Sequence, residues 1–363
     1  MSEFLYATLN AAREIIPLLA MREEHLLQAG AKGAGGDISI GADLLCEEIF
    51  TKHLSHIGHI DSEESGFIAA GTQTDSNRDF SDKAQTLSSR DLHQQVVAIH
   101  KKADSRIFDK NAQNVFSPNA ARRQDLGDKN GALQGESRAH TRAYVTADSP
   151  QQNKGYRSAL ADVSLESPFL APKPTPKTRK AESTKESQSF LTIVLDPLDG
   201  SDNYLSNIPY YGASLALCDS TGAVLEAAVV NFCSAQVIYD HSSAPHASRI
   251  HIFTQEHSPI APTPAKCGVF EKAYSYPDIA RELYTHRLKF RSLGASALSL
   301  ACALEHNFFL FCGAIRKYDA LAGLFLCRNL QIARGADFLL VSQNKQVFGM
   351  IERILSKHQI KQI

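Results

Sequence analysis

With 363 residues, 43% of them apolar, the chain is long enough for one large domain or two of ordinary size built on a real core. A formal net charge of -1 removes the broad basic field that non-specific binding of nucleic acid or a membrane surface needs, so a small molecule is the expected partner. The seven cysteines are odd in number, scattered, and never spaced Cys-x-x-Cys, which fits free thiols in a reducing cytoplasm. No leader-like start is evident, and no run approaches the roughly 18 apolar residues of a membrane span.

In chain order, Leu5, Leu9, Ala12, Ile16 and Leu19 fall at helical spacing and predict one long amphipathic helix over Glu3–Ala29. Gly30, Gly33, Gly35 and Gly36 then mark a turn. A second helix is expected over Asp43–Leu54. A short extended piece, Ile57–Ile60, then delivers Asp61-Ser62-Glu63-Glu64-Ser65 at a strand end.

Residues 67–189 change character, being rich in Gln, Ser, Asn, Lys, Arg and Asp, with Pro172, Pro174 and Pro176 close together. This composition reads as a polar, largely disordered insert in a discontinuous domain made of 1–66 and 190–363. Val96–Ile99 and Phe169–Ala171 are too sparse for a core of their own, and the basic stretch Lys173–Lys185 reads as solvated linker charge. Because loop-closure entropy grows only by about 0.6 kcal/mol per doubling of length, deletion of the insert is expected to be tolerated.

From Phe190 the text is folded again. Leu191–Leu195 is a buried strand ending at Asp196, and Tyr211–Cys218 and Val224–Phe232 are strands joined by the turn Asp219-Ser220-Thr221-Gly222. A helix over Ala295–Leu304, a strand over Phe308–Cys312, a helix over Asp319–Leu330, a strand over Phe338–Val341 and a last helix carrying Val347, Phe348, Ile351 and Leu355 follow. Alternation of strands and helices predicts a layered α/β arrangement.

The chemistry concentrates in Asp196-Pro197-Leu198-Asp199-Gly200-Ser201, which follows a buried strand. Asp196, the Leu198 carbonyl and Asp199 can offer three hard oxygens to a magnesium ion, and the Gly200 and Ser201 amides can point at a phosphate. The same residues would also serve as a plain reversing turn. Two further acidic elements, Ser62-Glu63-Glu64-Ser65 and Lys317-Tyr318-Asp319-Ala320-Leu321-Ala322-Gly323, weigh toward a site, because separated carboxylates can converge.

Ser-Glu-Glu-Ser, Leu-Asp-Pro-Leu-Asp-Gly-Ser-Asp-Asn-Tyr and Tyr-Asp-Ala-Leu-Ala-Gly, in this order, resemble the signatures of the inositol monophosphatase family, within the superfamily that includes fructose-1,6-bisphosphatases and bisphosphate nucleotidases. Ile208–Ser214 and Arg291–Leu298 add weaker matches, and the resemblance covers about 1–66 and 190–356. It implies an α-β-α-β-α sandwich of the sugar-phosphatase type and a magnesium-dependent phosphomonoesterase with two or three Mg2+ per site. Glu63, Asp196 and the Leu198 carbonyl would hold one ion, Asp196, Asp199 and Asp319 a second, and Glu64 would assist as in the fructose-bisphosphatase branch. Attack on phosphorus would come from a metal-activated water, with no covalent phosphoenzyme. Ser201 would orient that water through an acidic partner, for which Asp43 is favoured and Asp37 is the second choice.

The expected substrate is a small phosphorylated polyol or sugar. Cys312 stands where the family usually has an inositol-contacting glutamate, which leaves fructose 1,6-bisphosphate and 3′(2′),5′-bisphosphate nucleotides as alternatives. Gly294, Ala295 and Ser296 are read as giving backbone amides to a substrate hydroxyl, and Arg316, with neighbouring Lys317, as receiving a second anionic group. The resemblance also implies a homodimer. From another class, a catalytically weak binding or regulatory module on the same fold is the rival; calcium loops and serine or cysteine hydrolase motifs find no support in the spacing.

Overall fold

The computed structural model describes residues 1–72, 190–244, 246–260 and 264–360. Helix α1 (Glu3–Met21) is capped by the Ser2 hydroxyl, which accepts from Leu5 N, and buries a continuous face from Phe4 to Leu19. It is shorter than the predicted Glu3–Ala29. Arg22 turns left-handed at φ 49°, and its guanidinium leaves the helix to bond the carbonyls of Tyr204 and Leu205. After a 3-10 turn (Glu24–Leu27), β1 (Ala29–Lys32) and β2 (Ile38–Ile40) form an antiparallel pair whose connection holds Gly33, Gly35 and Gly36 of the predicted turn, Gly30 lying within β1. Helix α2 (Gly41–Leu54) follows directly.

The main sheet has eight strands in the order β10-β9-β8-β7-β6-β5-β3-β4. These are β3 (His59–Ser62), β4 (Gly66–Ile68), β5 (Thr192–Asp199), β6 (Gly212–Cys218), β7 (Val224–Asn231), β8 (Gln236–His241), β9 (Ser248–His251) and β10 (His257–Pro259). Strand β4 moves the start of the insert: Phe67 and Ile68 pair with Asp61 and Ile60 at the sheet edge, where Ile68 packs against the core and Phe67 stays exposed. Of the region read as insert, 73–189, with its apolar clusters and basic stretch, lies outside the described residues.

Both faces of the sheet are covered, and the pleat sorts side chains between them. Ile193, Leu195, Leu215, Leu217, Ala228 and Val230 face α1 and α2, whereas Val194, Ala216, Ala227 and Val229 face the opposite layer. That layer holds α5 (Ser296–Ala301) with its 3-10 extension (Cys302–Leu304), and α6 (Lys317–Leu326), while the short α3 (Ser201–Leu205) after β5 buries Tyr204 in the core on the α1 and α2 side. The outer side of α5 and α6 packs on a five-stranded sheet ordered β12-β11-β13-β15-β14, comprising β11 (Cys267–Glu271), β12 (Lys289–Arg291), β13 (Phe309–Cys312), β14 (Gln331–Arg334) and β15 (Phe338–Ser342). Its inner residues are Val269, Phe309, Phe311, Leu339 and Val341. Its outer ones, among them Phe270, Leu310 and Leu340, are closed by α4 (Pro277–Thr285) and α7 (Lys345–Lys357). The result is the α-β-α-β-α sandwich expected from the sequence. Each fully buried phenylalanine or leucine contributes about 1.5–3 kcal/mol.

All seven cysteines are free, with Cys46, Cys218, Cys312 and Cys327 buried. Among the described residues no helix is long and apolar enough to cross a membrane.

Candidate metal centre

Strand β5 does not stop at Asp196 as expected but runs on to Asp199, with its pairing to β6 irregular between these two residues. Asp196 lies opposite Ser214 and Asp199 opposite Gly212. Helix α6 brings Asp319 in its first turn, where the helix dipole favours a carboxylate. One carboxylate oxygen from each of Asp196, Asp199 and Asp319 lies within 4.8 Å of the others, and all three residues are buried.

Such a cluster costs free energy unless a cation joins it. Burial, and next repulsion from Glu63, Asp199 and Asp319, holds the Asp196 carboxyl well above the usual carboxylate range. Asp199 is raised in the same way by burial and then by Asp319, although the Leu298 amide donates to it at 2.8 Å. An all-oxygen donor set with this excess of negative charge fits a hard divalent cation.

Glu63 stands outside that trio. Its carboxyl is pushed up to about 8, chiefly by burial, against an opposing pull from Arg316. It is joined to Asp319 through the guanidinium: Arg316 Nη1 donates to Glu63 Oε1 and, at 2.7 Å, to Asp37 Oδ2, while Nε donates to Asp319 Oδ2 at 3.0 Å. Glu64 is turned away to accept from Ser39 Oγ. The β1–β2 connection lies over this segment, with Ala34 N on Glu64 O and Gly35 N on Glu63 O. Glu47, one helical turn after Asp43 on α2, accepts from Ser65 N at 3.0 Å and from its hydroxyl at 2.5 Å, and so fixes the turn that presents Glu63. The sequence reading missed this role. The i, i+4 spacing from Asp43 was its one available signal.

Ser201 donates to Asp43 Oδ1 at 2.9 Å, so α2 and the start of α3 meet as anticipated. Ser201 Oγ also lies 3.1 Å from the Leu198 carbonyl. Burial pushes Asp43 up to about 7, against the Ile40 amide that donates to it at 2.6 Å. Asp37, the second choice as serine partner, is engaged by Arg316 instead. Gly200 adopts φ 89°, and a Cβ there would meet Ala295 Cβ at 3.0 Å and Tyr210 O at 3.1 Å. The glycine thus permits the turn that aims the Gly200 and Ser201 amides.

Two expectations change. The Gly294 amide donates to Glu271 Oε2 at 3.0 Å and the Ser296 backbone bonds Asp199, so these amides hold the loop to the site and are not offered to a substrate; Ala295 is buried against Gly200. Buried Glu271, at the end of β11, anchors that loop and also takes the Ser299 hydroxyl at 2.6 Å. Lys317 faces Asp61, with which it forms an ion pair, and leaves Arg316 as the cation at the cluster among the described residues. Cys312 is 1% exposed and packs with Phe270, Leu310 and Leu340 in the outer core, so it offers no substrate contact.

The sequence profile of the inositol monophosphatase family matches residues 134–330. The chain belongs to the inositol monophosphatase family. Among solved structures, it is similar to the extragenic suppressor protein SuhB of Bartonella henselae, with a TM-score of 0.55 and 14% identity over 98% of this chain and 99% of that one. It is similar also to a crystal structure described as an inositol monophosphatase-fructose 1,6 bisphosphatase, with a TM-score of 0.55 and 12% identity over 98% of this chain and 100% of the other. At these identities the two establish the shared fold. No curated protein sequence matches the chain. Membership in the inositol monophosphatase family makes it a phosphatase, and the match spans both Asp196–Ser201 and Asp319.

Proposed function

We propose that the chain is a magnesium-dependent phosphomonoesterase acting on a small phosphorylated polyol or sugar, working as a cytoplasmic homodimer. The observation that carries the catalytic part is the convergence of Asp196, Asp199 and Asp319 within 4.8 Å, beside a serine hydroxyl already committed to a buried carboxyl. Asp196, Asp199 and Asp319 would hold one cation, and Asp196, Glu63 and the Leu198 carbonyl a second. When bound, magnesium would polarise the phosphoryl oxygens and lower the pKa of a water.

The protein's own groups do the positioning. With its proton given to Asp43 Oδ1, Ser201 Oγ keeps lone pairs to accept a proton from a water aligned for attack on phosphorus. The Gly200 and Ser201 amides are donors for phosphate oxygens, and Glu47 and Glu271 hold the segments around them. Released from Asp37, Glu63 and Asp319, Arg316 would be a contact for a second anionic group, and bisphosphorylated sugars or nucleotides are the second substrate reading.

Asp43 must be ionised to accept from Ser201. Because its carboxyl is raised to about 7, protonation below that pH removes the acceptor, and turnover is expected to rise with pH through about 7. Asp43→Asn is expected to lose that rising limb and to lower turnover about 10²–10⁴-fold, the usual contribution of positioned proton transfer. A pH profile unchanged in the variant would remove Asp43 from the mechanism.

The test of the function is phosphate release from inositol monophosphates, fructose 1,6-bisphosphate and adenosine 3′,5′-bisphosphate, with and without magnesium. Magnesium-dependent release from one of them supports the proposal and names the substrate. Silence across the panel would favour a binding or regulatory module on this fold.

A further inference from the structure

Arg316 sits just before α6 and reaches three carboxylates carried by three separate segments: Asp37 from the β1–β2 connection, Glu63 from the end of β3, and Asp319 from α6 itself. Both Asp319 oxygens face the guanidinium, Oδ2 at 3.0 Å from Nε and Oδ1 at 3.5 Å from Nη2. Glu63 and Asp319 are two of the residues assigned above to the cations. A carboxylate lone pair that accepts from a guanidinium is not available to a divalent ion, and a permanent positive charge at this distance repels one.

Resting on the metal-site reading, we infer that Arg316 and a divalent cation compete for Glu63 and Asp319, so that this arginine sets the cation affinity of the site. The geometry suits an exchange. The side chains of Glu63 and Asp319 are 9% and 8% exposed, whereas those of Arg316 and Asp37 are 35% and 81% exposed. The guanidinium therefore has solvent on its Asp37 side into which it can withdraw. Burial would lower its pKa, but Asp319 and Glu63 outweigh that effect and keep it charged. A purely structural ion pair predicts the opposite consequence: removing it would leave the two buried carboxylates less well placed, and cation binding would weaken.

Calorimetric titration of the full chain with magnesium chloride separates these cases. Arg316→Gln is expected to bind on the order of tenfold more tightly than the unmodified protein, as one charge-assisted competitor is removed. Asp196→Asn is expected to lose binding. Equal or weaker binding by Arg316→Gln overturns the competition and leaves the metal reading standing. No uptake by either the unmodified protein or Arg316→Gln overturns the metal reading and the inference with it. A crystal of the unmodified protein soaked in manganese gives a check that depends on no variant. Arg316 withdrawn from Glu63 and Asp319 is the expected result, and a bound cation with both contacts intact overturns the inference.

Discussion

Asp196→Asn is expected to lower magnesium-dependent phosphate release at least about a thousandfold, well beyond the 10–100-fold typical of losing a group that merely orients a ligand. Asp196 is the one residue assigned to both cations, and the amide that replaces it is neutral and a poor ligand. The fold is expected to survive, since an asparagine carbonyl can still accept from Leu198 N, the bond now made at 3.1 Å. In the presence of a chelator the variant is expected to melt no lower than the parent, and by about 2–4 °C higher for each kcal/mol of repulsion relieved. The direction follows from the cluster, because Asp196 is buried and repelled by Glu63, Asp199 and Asp319. Loss of activity together with a lower melting temperature would mean that the carboxylate is structural. Retained turnover would contradict its place in the site.

Gly212→Ala is expected to destabilise the protein by at least about 3 kcal/mol, the upper range for overpacking a tight interior. A Cβ built at Gly212 would lie 1.9 Å from the Val230 carbonyl oxygen and 3.1 Å from Leu298 Cδ2. The first of these is backbone of the neighbouring strand and moves only if the β6–β7 pairing opens. Gly212 is also the partner of Asp199, so whatever stability remains is expected to come with a displaced Asp199, a proposed metal ligand, and reduced turnover. Gly349→Ala in α7, where a Cβ would meet nothing within 4 Å, is the control and is expected to stabilise by about 0.5–1 kcal/mol. Urea denaturation of both variants checks the pair. Equal midpoints would remove the steric argument for Gly212.

Asp196, Asp199 and Asp319 were readable as a candidate site because each carries its context locally. A strand feeds Asp196-Pro197-Leu198-Asp199, a helix opens near Asp319, and short-range patterning marks both. The Asp43–Ser201 contact was reachable only through family resemblance, since 158 positions separate the two residues. The stretch between Phe232 and Leu293 stayed unread although it contributes β8 to β12 and α4. Strands of three to six residues offer too few periodic positions, and what stabilises them is pairing with partners elsewhere in the chain.

By itself, the sequence determined the layered α/β class, a strand leading into Asp196, a helix opening near Asp319, and the free state of the thiols, all of which follow from periodicity, composition and local turn chemistry. Only the tertiary structure decided how the side chains around them were shared. The Gly294 and Ser296 amides went to Glu271 and Asp199, Lys317 to Asp61, Cys312 into the outer core, and Arg316 to Asp37, Glu63 and Asp319. Each of those outcomes depends on which of several nearby partners a charged or polar group meets once distant segments pack, and that competition has no expression in residue spacing.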